Sequence, residues 1–227
     1  MELGDEGFPE GTVVVADEQT AGRGRFGRKW DSEPMSNLLF SVLLRPSFLE
    51  RDEIFVLTFC AAVAVADALE EVARVKPELK WPNDILLDGK KVCGILLETN
   101  FEGDALRYVV IGIGINVNQK IYPPQIADKA VSVATVAGKE FDREEVLSAI
   151  LARLASWYDI LRRRDFYRIM KSWRDRSRIA GRKVKIDLAG KIYEGTCEEI
   201  ADDGAIKIRT REGTKKFTAG EITMLED

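Results

Sequence analysis

QTAGRGRFGRKW, residues 19–30, holds a literal G-x-G-x-x-G between Gly22 and Gly27. Taken at face value this is the turn of a Rossmann unit, whose glycines lead straight into a helix aimed at a pyrophosphate. The flanks exclude it. Arg28-Lys29-Trp30-Asp31-Ser32-Glu33-Pro34 follows, a charged run ending in proline, and no acidic residue stands at a strand end about 20 residues on, where the motif requires one. The loop must instead be explained by its own side chains. Arg23, Arg25, Arg28 and Lys29 are cationic, and the planar fork of a guanidinium suits phosphate or carboxylate oxygens. Phe26 and Trp30 are large apolar groups, better buried than left on a mobile loop. Glycine hinges, cations and aromatic lids together predict a loop that closes over an anionic ligand; the alternative is a solvated surface loop.

Working outward, GTVVVAD (11–17) is a β-branched run that predicts a central strand, and NLLFSVLLRP (37–46) predicts a second, stopped by Pro46. Residues 52–73 predict a buried apolar helix with an acidic first turn, Asp52 and Glu53. In LKWPNDILLDGKKVCGILLETN (79–100), Pro82 holds Trp81 extended, so Lys80 and Trp81 finish a strand while Asn83 and Asp84 cap the turn. Asp88-Gly89 between two apolar runs predicts a hairpin. Strict alternation beyond it places Lys91, Cys93, Ile95 and Leu97 on one face, so that Lys91 points inward among apolar residues and needs an anion. LRYVVIGIGINVN (106–118) is apolar on both faces, and Gly112 and Gly114 leave room for a ligand or another backbone. REEVLSAILARLASWYDILRRRDF (143–166) has helical spacing, a register that runs on to Arg178. From Ile179 the chain turns to short strands with turns at Ala189-Gly190, Asp203-Gly204 and Glu212-Gly213. Two domains are expected, 1–178 and a small closed barrel over 179–227. With no Pro/Gly/Ser linker between them, they should pack together.

Composition narrows the chemistry. The 227 residues are 45% hydrophobic and 32% charged with a net charge of −4, as in an ordinary globular chain, so an anion site must come from local clustering. Histidine is absent, which removes Ser-His-Asp triads, Cys-His pairs and imidazole metal ligands. Cys60, Cys93 and Cys197 are far apart and suggest reduced thiols in a cytosol. Cys93 is read as a small buried strand residue, since no histidine could activate it. Residues 1–10 are acidic, unlike a signal peptide, and the apolar run 55–69 is interrupted by Asp67 and too short for a bilayer, so no membrane partner is expected. Eight basic residues between Arg162 and Arg178 read as a solvated helix face, with an acidic partner or nucleic acid as the minority alternative.

Four stretches, ADEQTAGRGRFGRKW, NLLFSVLLRP, KWPNDILLDGKKVCGILLE and VIGIGINVN, together with the terminal GEI, make the chain resemble the biotin protein ligase family over nearly its whole length. The resemblance implies an α/β (α+β) fold: a mixed-sheet catalytic domain akin to class II aminoacyl-tRNA synthetases and a C-terminal SH3-like barrel. It implies the short form without a DNA-binding helix-turn-helix, hence no DNA partner and no repression of transcription, and a possible homodimer. The implied reaction has two steps. The biotin carboxylate attacks the α-phosphate of Mg2+-ATP to give biotinyl-5'-adenylate and pyrophosphate, and a lysine of a biotin carboxyl carrier domain then takes the biotinyl group. By the same resemblance Lys91 sits at the reacting carboxylate and α-phosphate, and Gly22, Arg23, Gly24 and Arg25 close over the adenylate, with Gly94 beside it. Gln19 bonds the ureido ring and Trp30 covers the adenine side. Lys80 lies near the phosphates, Asn83 and Asp84 serve the nucleotide or the acceptor lysine, and Asn116 serves ATP and its metal ion. No protein metal site is implied, Mg2+ arriving on the ATP phosphates.

Two departures stand out. Phe26 replaces an arginine usual in the family's loop. Only ten residues precede Gly11, without the Ser-Thr-Asn strand that binds biotin in the family, which predicts weakened biotin binding and a true start codon further upstream. The rival readings are a lipoate ligase or octanoyltransferase, the latter with Cys93 as acyl carrier, and a truncated protein that binds adenylate without turnover.

Overall fold

The computed structural model describes residues 1–225, so Glu226 and Asp227, the end of the expected second domain, lie outside the described residues. In chain order come α1 (Glu2–Asp5), β1 (Val13–Ala16), a single 3-10 turn (Arg25–Gly27), β2 (Leu38–Leu44), α2 (Val56–Ala73), β3 (Glu78–Lys80), β4 (Asp84–Leu87), β5 (Lys90–Glu102) and β6 (Ala105–Ile115). Then follow α3 (Val133–Ala137), α4 (Arg143–Arg162) and α5 (Phe166–Asp175), and five strands, β7 (Lys183–Leu188), β8 (Lys191–Ile200), β9 (Ile206–Thr210), β10 (Gly213–Phe217) and β11 (Glu221–Met224). The first six strands form one sheet in the order β1-β2-β6-β5-β4-β3, the last five another in the order β10-β9-β8-β7-β11. The second sheet stands where the barrel is expected, antiparallel throughout. The larger sheet is also antiparallel at every ladder, because hairpins join β3 to β4, β4 to β5 and β5 to β6. Its parallel component is confined to an isolated bridge between Lys91 and Ala130.

Local chemistry explains most elements. Asp88 and Gly89 take φ values of 49° and 75°, the left-handed pair that a two-residue hairpin requires. Ala189 and Gly190 repeat it at 53° and 85° between β7 and β8. The helix α2 is apolar on nearly every side and is buried accordingly, packed against α4, α5 and the large sheet. Its acidic residues Asp52 and Glu53 lie in the turns before Val56.

Two expectations are corrected. β1 is an edge strand rather than a central one: it pairs with β2 alone, and Val14 and Val15 are 47% and 48% exposed. The helical register from 143 to 178 is also not continuous. Arg164 adopts φ 59°, and Asp165 caps a new helix by accepting from Arg168 N–H at 3.1 Å. The basic residues of this region are engaged within the chain: Arg162 with Glu10, Arg164 with Glu53, Arg174 with Asp202, and Arg176 with Asp67 and Glu70. That agrees with a structural and solvated face. Among the described residues no helix is long and apolar enough to cross a membrane.

The sheets meet around buried aromatics. Phe59 lies edge-on to Trp173 with centroids 5.2 Å apart, and Gly204, in the β8–β9 turn, abuts Phe59 so closely that a Cβ there would stand 2.4 Å from its ring. Trp81 Nε1–H donates to Gly204 O at 2.9 Å.

Burial also sets the alkaline limit of the fold. It pushes the Cys60 thiol up to about 12 and Cys197 to about 11, and raises Cys93 too. In the unfolded chain thiols ionise near about 8.5. Above that pH the unfolded state binds fewer protons than the folded one, so stability falls with rising pH until the folded thiols ionise in turn. Tyr122, raised to about 12, acts in the same direction. The urea midpoint is expected to drop steadily between about pH 8.5 and 11. A flat profile over that range would contradict it.

Candidate active site

One cleft of about 820 Å³ opens on the face of the large sheet that carries Gly94, Gly112 and Gly114, a volume suited to a small ligand. Its roof is the glycine-arginine loop, one wall is the Lys80–Asp84 corner, and its far rim is Gly220 to Thr223 of the second sheet. Seven lysines and arginines line it against four aspartates and glutamates, so a chain of net charge −4 presents a positive interior here.

The floor is made by absence of side chains. Gly94 and Gly114 are direct cross-strand partners. A Cβ on Gly114 would stand 2.7 Å from Trp30 Cε2, and one on Gly94 3.0 Å from Trp30 Cζ3 and 3.1 Å from Lys91 Nζ. The close approach anticipated at Gly112 and Gly114 is therefore that of the Trp30 indole, at Gly114. Its Nε1 is buried with no protein acceptor, and Lys91 Nζ lies 5.5 Å from the ring centroid.

The orientation of Lys91 corrects the strict alternation. Ile85 pairs with Cys93 but Leu86 pairs with Lys91, so Val92 is an extra residue, a β-bulge. The bulge shifts the parity. Cys93 and Ile95 stay in the core, while Lys91 joins the face of Gly94 in the cleft, its side chain 36% exposed. Its anion is Asp84, with Nζ 2.5 Å from Oδ1.

The loop itself is a tight hairpin. Arg23 bridges Lys29, Trp30 N–H donates to Gly22 O at 3.0 Å, and Gly24 N–H donates to Arg28 O at 2.7 Å. Gly22 has no room for a side chain, since a Cβ would meet Trp30 O at 2.5 Å and Gln19 Oε1 at 2.9 Å. Arg23 pairs with Glu98 at 3.2 Å and Arg28 with Glu221. Arg25 donates to Asn83 Oδ1 at 3.2 Å and to Gly220 O at 3.4 Å. Burial lowers the Arg25 pKa, while Asp84 and Glu221 act in the opposite direction. Phe26, read as a group to be buried, is instead 61% exposed at the tip, with φ 54° and the Arg25 guanidinium 4.9 Å from its ring centroid.

Gln19, Arg23, Gly24, Arg25, Trp30, Lys80, Asn83, Asp84, Lys91 and Gly94 all line this one cleft, and Gly22 sits in the turn beneath it. Asn83 is doubly engaged, its Nδ2 donating to Ile95 O at 2.7 Å. Asn116 is the exception: it is 4% exposed and lies behind the strand of Lys91, outside the lining. Glu98, Lys129 and Glu221 line the cleft without having been singled out. The terminal GEI was the available signal for Glu221, whereas Lys129 lies in a stretch with no periodicity.

Cys93 Sγ is fully buried, and burial raises its pKa although Lys91 pulls the other way, so it remains a thiol. Iodoacetamide at pH 8 is expected to leave Cys93 unmodified in the native chain and modify it in urea, by mass spectrometry. Native labelling with loss of activity would revive the acyl-carrier role.

Residues 2–116 match the model of the biotin/lipoate A/B protein ligase family, and residues 179–225 that of the biotin protein ligase C-terminal domain. The chain is 39% identical to the bifunctional ligase/repressor BirA of Bacillus subtilis over 225 residues, which is 98% of this chain and 69% of that protein. It is 34% identical to the biotin–[acetyl-CoA-carboxylase] ligase of Paracoccus denitrificans, covering 92% of this chain and 88% of that one. Among solved structures, the biotin protein ligase of Aquifex aeolicus in complex with biotin and ATP superposes with a TM-score of 0.86 at 34% identity, covering 100% of this chain and 94% of that chain.

Proposed function

The chain belongs to the biotin/lipoate A/B protein ligase family, and from that we propose that it is an ATP-dependent biotin protein ligase. It activates biotin as biotinyl-5'-adenylate and transfers the biotinyl group to a lysine of a biotin carboxyl carrier domain. The observation that carries this is the juxtaposition of Lys91, the cationic loop and the Gly94–Gly114 floor in one cleft.

The first step brings a carboxylate to a polyphosphate. A carboxylate oxygen bonds to the α-phosphorus and pyrophosphate leaves. The barrier is dominated by charge, so preorganised cations are what the protein must supply. Lys91 neutralises the reacting carboxylate and α-phosphate, and Arg23 and Arg25 fold over the adenylate with Gly22 and Gly24 allowing close backbone approach. Lys80 faces the departing phosphates. Gln19 bonds the ureido ring, and Trp30 packs against the adenine side. Closure of this roof shields the mixed anhydride from water. In the second step a carrier lysine amine attacks the acyl carbon, AMP departs and the amine loses a proton; Asp84, at 2.5 Å from Lys91 Nζ, and Asn83 are the polar groups at that end. Mg2+ would arrive on the nucleotide phosphates and supply charge neutralisation there.

The division into a catalytic domain, 1–178, and a C-terminal domain, 179–227, is part of the proposal and is supported by the separation of the two sheets. A cytoplasmic location is supported by three free, buried cysteines. A homodimer is supported by the exposed edge strand β1. The test is pyrophosphate release on adding ATP with biotin, lipoate or octanoate. Release with biotin alone is expected. Release with lipoate or octanoate in its place, or with none, would overturn the assignment.

A further inference from the structure

The tip of the roof is built against its own residue preference. Arg28 N–H donates to Arg25 O at 3.2 Å, and the two residues between them, Phe26 and Gly27, take φ values of 54° and 73°. Both are left-handed, as in the mirror-image turn of a two-residue hairpin, which favours Asn, Asp or Gly at its first position. Gly27 meets that demand. At Phe26 a Cβ and a ring are forced into a conformation that bulky residues rarely adopt. Burial does not offset the strain, because the side chain is 61% exposed. What the ring meets is the Arg25 guanidinium, 4.9 Å from its centroid.

Arg25 is held unlike its neighbours. Arg23, Arg28 and Lys91 each face a carboxylate. Among the described residues Arg25 is held by uncharged groups: Asn83 Oδ1 at 3.2 Å, Gly220 O at 3.4 Å and the ring of Phe26. Both hydrogen bonds leave from Nη1, so among the described residues the Nε and Nη2 edge has no acceptor. That edge is a fork able to grip two oxygens of an oxyanion. A guanidinium carries no hydrogens on its faces, and a phenyl ring can hold it there without neutralising it. We propose that Phe26 is a positioning residue for Arg25: its ring, carried by the strained turn, fixes the plane of the guanidinium and presents an unpaired Nε–Nη2 fork to the substrate phosphate. Asparagine at this position would relax the turn and lose that support. The strain is kept where the charge is needed.

The inference rests on the ligase reading, so its test has one arm that needs no turnover. For Phe26→Asn and Phe26→Leu, kcat for biotin-dependent pyrophosphate release is expected to fall about tenfold, the scale of one cation–π contact, while KM for ATP stays within about twofold. Phe26→Tyr keeps the ring and should recover the parent kcat to within about twofold. Phe26→Asn suits the turn, so its Tm should hold or rise, which separates the loss of rate from misfolding. In the ligand-free protein the ring shifts the Arg25 Nε–H proton upfield in the NMR spectrum. That shift should persist in Phe26→Tyr and vanish in Phe26→Asn and Phe26→Leu. Parent-like turnover in Phe26→Leu, no recovery in Phe26→Tyr, a fault confined to biotinyl transfer to the carrier, or an Arg25 signal indifferent to the ring would overturn the role. Absence of pyrophosphate release by the parent chain would instead overturn the ligase reading, with the NMR arm still deciding whether Phe26 fixes Arg25.

Discussion

Lys91→Ala is expected to lower biotinyl-adenylate formation by about 10²–10³-fold, the range for removing one preorganised donor from a reacting centre. The lysine stands in the cleft between Trp30 and Asp84, and in the proposed reaction its charge matters most when the carboxylate and phosphate oxygens are pressed together. The loss should therefore appear in turnover more than in substrate binding. Folding should be nearly intact, because the Lys91–Asp84 pair is partly exposed, and such pairs contribute only about 0–1 kcal/mol. Single-turnover formation of labelled biotinyl-adenylate is the measurement. A variant working at close to the parent rate would remove Lys91 from the reaction.

The largest expected effect on stability is at Trp81. Its indole is 1% exposed and its N–H reaches Gly204 O in the β8–β9 turn, so one side chain fills the junction and satisfies a carbonyl there. Trp81→Ala should cost about 3–5 kcal/mol through the cavity it leaves. Trp81→Phe keeps most of the volume and loses the bond, and should cost about 1–3 kcal/mol. Urea unfolding followed by far-UV circular dichroism gives both values. A loss below about 1 kcal/mol for Trp81→Ala would mean that the junction collapses around the gap.

Features with a local cause were legible from residue order. Asp88-Gly89 and Ala189-Gly190 predict their turns because glycine takes left-handed φ values at no steric cost and aspartate tolerates them, while Ala189 is carried into that region by the turn. The loop of 19–30 was legible as a cationic, glycine-rich segment because its charges and glycines are contiguous, and it lines the cleft. Parity at Lys91 was not, since period-two counting assumes an unbroken ladder and the extra residue, Val92, carries no Gly or Pro to announce it. The helix break at Arg164 likewise sits in a run of arginines with no breaker. β1 misled for a different reason: a valine run reports β propensity but not how many neighbours the strand has. Asn116 and Glu221 act across long sequence separations, and a motif names such residues without saying which carbonyl or guanidinium they meet.

Three of the seven cations that line the cleft already hold anions. Lys91 has Asp84, Arg23 has Glu98 and Arg28 has Glu221. On the proposed function, binding the nucleotide is an ion exchange, in which phosphate oxygens displace carboxylates that remain tethered nearby. Two properties of an exchanger follow. Affinity is a difference between two sets of ion pairs rather than the sum of one. The salt dependence of nucleotide binding should be shallower than seven lining cations would suggest, because part of their charge is compensated by the protein and not by mobile ions. On the same reading the tethered carboxylates reclaim the cations when product leaves, which shortens the time the nucleotide is held.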